Sequence, residues 1–302
     1  MPDWKDASDR SAAPYDTPGR EVPQRIATAQ RGLVRRAAAS AAFDNRRFAA
    51  GPDLSRWVQH FWSVEWDLTH AAPVDSRVIS YPAMHLSAEW GRTGEIRHGI
   101  ALPATIVHGV VSRVFVVRLT GRGSVVGARF TPGGFAAWTG LDASVYTDRA
   151  VPAESVFGPD LGCLHERLGS IASIDDRVDA LRTVLVDHRP ATSRPEDEDL
   201  ARLVERMAVD DSLVRVEQVA ELAGRSVRTL QRQFRRGVGV SPKWVLARYR
   251  LQEAAYALET DPGVDLADLA VRLGWYDQAH LTNDFRRMLG ETPATYAAMA
   301  QA

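Results

Sequence analysis

At 302 residues the chain is too long for one ordinary core and fits two domains with a tail or linker to spare. Apolar residues at 45% and charged residues at 25% exclude a wholly disordered or fibrous chain. The formal net charge is −1, which excludes a uniformly basic protein, so any attraction to a polyanion has to be local. The single cysteine, Cys163, excludes an intramolecular disulfide and any multi-cysteine zinc site, and is expected to be a buried, inert thiol in a reducing cytoplasm. No apolar run approaches the roughly 20 residues that span a bilayer, and no apolar signal core follows the amino-terminal Met-Pro-Asp-Trp-Lys-Asp. Neither export nor a membrane partner is expected.

Residues 1–50 are rich in Ala, Arg, Pro, Asp and Ser with little apolar periodicity, and are expected to be mostly flexible. Within them Ile26 to Ala42 carries Arg31, Arg35 and Arg36 among alanines and has the composition of a short, marginal helix. From Leu54 to Leu141 short β-branched and aromatic runs are broken by Gly and Pro: Trp57 to Trp66, Arg77 to Tyr81, Ala104 to Leu119, Ser124 to Phe130. That texture predicts antiparallel β structure. The run from Val110 to Leu119, ending in Gly121-Arg122-Gly123, predicts a hairpin with the next strand. Between Val151 and Val186, Leu161, Leu164, Leu168, Ile171, Ile174, Val178, Leu181 and Leu185 recur at helical spacing, so helices close this domain, taken as 51–186. Residues 187–199, with two prolines and alternating charge, read as an exposed linker to a domain at 200–302. The fold class is thus α+β multidomain: a β-rich sensing or dimerisation domain with closing helices, then an all-α domain.

The last hundred residues repeat themselves. Ala220 and Gly224 recur as Ala270 and Gly274, while Leu230, Phe234, Arg235, Arg236, Gly239 and Pro242 recur 51 positions on. Each copy reads as a short helix, a turn at glycine, and a second helix begun by a side-chain cap, Ser226 or Asp277. That is the helix-turn-helix plan. Leu230 with Phe234, and Leu281 with Phe285, stand four apart and should face the core, leaving the residues between them outward. A helix from Pro242 to about Thr260 joins the units. From Leu222 to Gln252 the charged residues are Arg225, Arg228, Arg232, Arg235, Arg236, Lys243, Arg248 and Arg250, with no Asp or Glu among them. Asp284 lies near the buried stripe of the second unit and is expected to pair with Arg287 or Arg272.

Four strings carry a resemblance: Gly239-Val240-Ser241-Pro242; Arg250-Leu251-Gln252-Glu253-Ala254; Leu269-Ala270 with Gly274-Trp275-Tyr276-Asp277-Gln278; and Phe285-Arg286-Arg287 with Gly290-Glu291-Thr292-Pro293. Together they resemble the signature of AraC/XylS-type transcription regulators over about Val214 to Met299. The resemblance implies base contacts from Arg228, Thr229, Gln231 and Arg232 and from Gln278, Ala279, His280 and Asn283, with Arg225, Ser226, Arg235, Arg236, Arg286 and Arg287 completing the DNA-binding face. Arginine and glutamine there suit guanine and adenine edges. The family usually carries a basic residue at the place of Asn283 and a small one at Asp284. Double-stranded DNA is the implied partner, with a small-molecule effector, RNA polymerase and a second copy of the chain as further ones, the state being monomer or homodimer. RNA is disfavoured because no stacking aromatics sit among the exposed positions.

In the β-rich region Phe61-Trp62-Ser63-Val64-Glu65 and Gly127 to Phe135 are similar to strings of an uncharacterised domain found before such units. Arg129 beside its Gly-rich turn can hold an anionic ligand, though a pairing with Asp or Glu is the more ordinary use. His85, His98 and His108 with Glu89 and Glu95 invite a metal reading, but their spacings form no recognisable metal set, so neither metal nor cofactor is expected. The alternative function is a DNA-binding unit fused to a catalytic, for example alkyl-transferring, domain. Cys163 lies in a leucine-rich helical context with no recognisable base and orienter, so no enzyme is expected.

Overall fold

The computed structural model describes residues 43–78, 81–192, 195–261 and 263–300. The helix anticipated at Ile26 to Ala42 lies outside them. Among the described residues there are ten strands: β1 Phe43–Ala49, β2 Val58–Leu68, β3 Val74–Val78, β4 His85–Trp90, β5 Ile96–Arg97, β6 Ile100–Ala101, β7 Ala104–His108, β8 Phe115–Leu119, β9 Gly121–Phe130 and β10 Ala150–Pro152. Six of them form one antiparallel sheet in the order β1-β2-β9-β4-β7-β10, while β3 pairs with β8 and β5 with β6. Alternate side chains of a strand point to opposite faces, and this sheet uses both. One face presents Phe61, Leu86, Val107, Val126, Ala128 and Phe130 to the main core. The other presents His60, Trp62, Val64, Trp66, His85, Glu89, Val125 and Arg129 to a cavity, with Phe115, Val117 and Leu119 of β8 on its far wall. Gly127 occupies the cavity face because a Cβ there would lie 2.6 Å from the Trp62 ring.

Short helices α1 Gly134–Thr139, α2 Glu154–Phe157, α3 Pro159–Gly162 and α4 Leu164–Gly169 lead into α5 Ile174–Asp187. The spacing of Ile174, Val178, Leu181 and Leu185 puts them on one face of α5, and all four are buried in the core. The remaining helices are α6 Pro195–Val209, α7 Val216–Leu222, α8 Val227–Val238, α9 Pro242–Thr260, α10 Leu266–Arg272, α11 Gln278–Leu289 and α12 Pro293–Ala300. Among the described residues no helix is long and apolar enough to cross a membrane.

Three expectations need correction. First, β8 and β9 do not form a hairpin: β8 pairs with β3, and β9 with β2 and β4. Gly121, at φ 54°, turns the chain from one sheet to the other immediately after Thr120, a use of glycine that local periodicity does not distinguish from a hairpin turn. Second, residues 43–49, placed with the flexible segment, form edge strand β1 along β2, Phe43 opposite Trp66 and Ala49 opposite His60. The run Phe-Asp-Asn-Arg-Arg-Phe-Ala has few apolar positions and no period-two alternation to mark it as a strand. Third, the linker ends by Pro195, where α6 begins, and the acidic run becomes the first turn of that helix, favoured by the amino-terminal dipole.

The halves are joined more closely than a tether implies. One hydrophobic core runs from Ala50 through α6 to Tyr249 of α9, whereas the second helix-turn-helix unit has its own core, from Leu251 to Ala297. Leu200 of α6 is the link: it is 3% exposed and seated against Gly133 before α1 and Gly237 of α8, where a Cβ on Gly237 would clash with it. Around this seam Thr147 donates a hydrogen bond to Gly239 O (2.6 Å), Trp244 Nε1 to Ser112 O (3.1 Å) and Gln252 Nε2 to the Tyr81 hydroxyl (3.3 Å). Gly290 packs on Val114, and Gly109 lies so close to the Tyr146 carbonyl that no side chain fits.

Removing a buried leucine costs about 2–5 kcal/mol. Leu200→Ala should lower the denaturant midpoint of the whole chain, with near-UV signal from the β half and far-UV helix signal shifting together. Separate transitions, with only the helical one moved, would refute a shared core.

Candidate nucleic-acid interface

The two helix-turn-helix units are built alike, the second with one extra residue in its turn. In the first, Gly224 (φ 61°) makes the turn and the Arg225 N–H donates to Ala220 O at 2.9 Å; in the second, Gly274 (φ 81°) turns and the Trp275 N–H donates to Ala270 O at 2.8 Å. Ser226 Oγ caps α8 by accepting from the Thr229 N–H at 3.2 Å, and Asp277 Oδ1 caps α11 by accepting from the His280 N–H at 2.7 Å. Such caps contribute about 1 kcal/mol each. Leu230, Phe234, Leu281 and Phe285 are completely buried, and Gly239 and Gly290 end the helices in the left-handed conformation.

That packing leaves an outward face on each unit. Ser226, Arg228, Gln231, Arg232, Arg235 and Arg236 of the first are exposed and Thr229 is half-buried; Gln278, Ala279, His280, Asn283, Arg286 and Arg287 of the second are all exposed. Among the described residues Arg228, Arg232, Arg235, Arg236, Lys243 and Arg286 have no ion-pair partner. Arg225 is different. Its Nη1 donates to Gln233 Oε1 at 2.6 Å and its Nη2 lies 3.8 Å from Asp199, an acid contributed by α6 and not by the adjacent sequence.

The basic island is therefore smaller than the sequence suggests. Arg248 is 2% exposed, stacked 5.2 Å from the centre of the Tyr81 ring, and burial lowers its pKa to about 10. Arg250 stacks 4.9 Å from Trp275 and donates to Gly274 O at 2.8 Å, bracing the second turn. Both serve the fold. In the second unit Asp284 accepts from Trp275 Nε1 at 3.0 Å and pairs with Arg287 at 2.8 Å, as expected, with His280 at 3.7 Å. Tyr276, 89% exposed just before the cap, puts an aromatic among the exposed positions, where none was expected; it sits in the turn, which no helical period places.

The second feature is the cavity of about 210 Å³ between the large sheet and β3–β8. Arg129 points into it, 6% exposed, and among the described residues its guanidinium has no hydrogen bond or ion pair; it lies 3.7 Å from the Tyr81 ring centroid. The expected Asp or Glu partner is missing because its neighbours on the cavity face are His85 and His60. Burial lowers the Arg129 pKa to about 10, and burial together with Arg129 lowers that of His60 to about 2 and holds His85 well below its ordinary value. The spacing argument against a metal set also needs revision: the fold brings donor atoms of Glu89, His98 and His108 within 4.8 Å of one another. Glu95 instead binds Arg97 at 2.7 Å.

Residues 46–152 match a domain of unknown function (DUF6597), and residues 219–299 match a family described as a helix-turn-helix domain. The HTH-type transcriptional activator RhaS of Escherichia coli O139:H28 is 37% identical over 75 residues, 25% of this chain and 27% of its own length. Transcriptional activator NphR of a Rhodococcus species is 30% identical over 133 residues, 42% of this chain and 39% of its own. The chain thus spans between a quarter and two-fifths of these relatives. Among solved structures, ToxT from Vibrio cholerae aligns over 85% of this chain and 98% of its own, with 10% identity and a TM-score of 0.39. Two capped units on one connecting helix define a double helix-turn-helix protein. Its carboxy-terminal domain is of the AraC type.

The histidines give the fold a pH dependence of definite sign. His60 and His98 titrate near 6.5 when unfolded and are lowered to about 2 and about 4 by folding, chiefly through burial, so the unfolded chain takes up protons first as the pH falls. Stability is full above pH ~7 and declines below about 6.5, by up to about 1.4 kcal/mol per pH unit for each such histidine. Urea midpoints should fall between pH 6.5 and 4.5, and His60→Gln should flatten the decline. Equal midpoints at pH 7 and 5 would contradict it.

Proposed function

We propose that the chain is a sequence-specific double-stranded-DNA-binding transcription regulator, not an enzyme, whose amino-terminal domain responds to a small organic anion. The observation that carries the first part is the pair of outward polar faces on α8 and α11, the first with four unpaired arginines, at either side of one 19-residue helix. At 1.5 Å per residue that helix spans roughly 28 Å, close to the ~34 Å between major-groove turns on one face of DNA. In this reading Arg228, Thr229, Gln231 and Arg232 read bases from the first helix, and Gln278, Ala279, His280 and Asn283 from the second. Ser226, Arg235, Arg236, Arg286 and Arg287 hold phosphates, with Arg225 partly withdrawn by Asp199. That the relatives aligned to this domain are transcriptional activators supports the reading and makes RNA polymerase a further partner.

The effector part rests on Arg129. An unpaired guanidinium buried in an apolar wall is costly to keep, and a carboxylate or phosphate group on a ligand would offset that cost by a charge-assisted, bidentate bond. Trp62, Trp66 and Phe115 would cover an apolar body attached to it. Cys163 is half-buried at the junction of α3 and α4, and not the buried thiol that its leucine-rich context suggests.

The two reading helices are unequal. From Asp265 to Glu291 three arginines stand against five acids, 3 − 5 = −2, and Arg287 is already paired, whereas α8 keeps four free arginines. Phosphate neutralisation dominates affinity, so the first unit supplies most of it. Operators selected from random duplex DNA should show one strictly specified half and one tolerant half. Arg232→Ala should weaken the selected site by roughly 1–3 kcal/mol while Arg236→Ala weakens all duplexes alike. Equal losses on specific and random DNA for Arg232→Ala, or a larger loss from Asn283→Ala, would overturn the assignment.

A further inference from the structure

On the wall of the cavity, three chemically suitable side chains from three separate segments converge. Glu89 lies at the end of β4, His108 at the end of β7, and His98 in the tight connection between β5 and β6. Glu89 Oε1 and His108 Nε2 are 3.0 Å apart, and the Ser87 hydroxyl reaches both, at 2.8 and 3.0 Å. His98 is one of two non-glycine residues among those described with a left-handed backbone, φ 54°, a conformation that costs about 1–3 kcal/mol and persists only where the surroundings enforce it. Its ring stacks on Phe115 at 5.2 Å and meets the His108 ring edge-on at 5.0 Å.

We infer that Glu89, His98 and His108 form a binding site for a first-row divalent transition-metal ion, with the open coordination position facing the cavity. Two imidazoles and one carboxylate, without a thiolate, suit Zn²⁺, Co²⁺, Ni²⁺ or Fe²⁺ and disfavour Mg²⁺ and Ca²⁺, which take oxygen ligands. Donors bound at 2.0–2.2 Å to one ion sit roughly 3.4 Å apart, so the Glu89–His108 pair already fits and the cluster closes with side-chain adjustments of about 1 Å. Glu89 is ionised: burial alone would raise its pKa, but the His108 hydrogen bond and the Arg97 charge lower it below the ordinary carboxylate range. Burial lowers the His98 pKa to about 4, leaving its lone pair available at neutral pH. Arg97 stands 3.1 Å from Glu89 Oε2 and opposes a cation, but it is shared with Glu95 at 2.7 Å, so the two carboxylates outweigh it. Ser87 then serves as the outer donor that orients Glu89, a role that ligand carboxylates ordinarily require. Three protein ligands leave a position open, as in metal sites that bind a further group. The site stands apart from the DNA-binding reading and is tested without DNA.

The experiment uses the full chain, stripped with chelator, and titrates Co²⁺ and Zn²⁺. Wild type should take up one equivalent of Co²⁺ with visible d–d absorption, which Zn²⁺ abolishes, and Zn²⁺ should raise its melting temperature. His108→Asn should lose the absorption. His98→Gly is the decisive variant, because glycine adopts φ 54° freely and the metal-free protein should fold at least as well as wild type. It should nevertheless bind Co²⁺ more weakly by more than the 10–100-fold that loss of an outer-shell partner typically causes. No stoichiometric uptake by wild type, or unchanged affinity in a folded His98→Gly, would overturn the assignment; binding that survives in that variant belongs to surface histidines.

Discussion

The seating of Leu200 against Gly133 and Gly237 is the contact on which the arrangement of the whole molecule depends. Because both glycines present bare backbone, α6 approaches the β-rich half and the first helix-turn-helix unit at once, and the apolar interior becomes continuous across them. The polar contacts of the seam, Thr147 to Gly239, Trp244 to Ser112 and Gln252 to Tyr81, are neutral hydrogen bonds of modest net worth; they fix register where apolar burial supplies the affinity. The second unit, with its separate core, is attached to this body chiefly through α9.

Charge is distributed according to the same division. Arg248 and Arg129 approach one tyrosine ring from the helical half and the β-rich half respectively, 5.2 and 3.7 Å from its centre. The quadrupole of Tyr81 attracts both buried cations, which offsets part of their mutual repulsion in an apolar medium. The arginines that remain on α8 are those with no interior role, which is why that helix and not the whole of residues 222–252 forms the basic face.

What was legible in the sequence was local. Caps at Ser226 and Asp277, the four-residue pairing of Leu230 with Phe234 and of Leu281 with Phe285, glycine at both C-termini, and the Asp284–Arg287 pair all depend on neighbours within one or two helical turns, and the internal repeat showed them twice. What was missed is long-range. The interior roles of Arg248 and Arg250 depend on Tyr81 and Trp275, and the neutralisation of Arg225 depends on Asp199 across the seam. Pairing of β8 with β3 joins residues about forty positions apart, which alternation within each strand does not encode. The Glu89, His98 and His108 cluster has no signature in linear spacing: β4 pairs with β7 so that His108 stands opposite His85 and Glu89 opposite Ala104, and only the reach of two long side chains on one sheet face closes the gap.

Gly109 gives the cavity a mechanical relation to the two helix-turn-helix units. The segment His108–Val111 forms cavity wall, and the next residues, Ser112 and Val114, touch Trp244 at the start of the connecting helix and Gly290 at the end of α11. Gly109 itself is pressed against the Tyr146 carbonyl, in the turn whose Thr147 holds the end of α8. Under the proposed function, a displacement of the wall by a bound molecule would reach the ends of α8 and α11 through these contacts within a few residues. Its size is bounded by linkage, since a ligand shifts DNA affinity only by its own preference for one arrangement over the other, about 1.4 kcal/mol for each tenfold. An occupant held equally well in both arrangements would fill the cavity and leave the DNA-reading helices where they are.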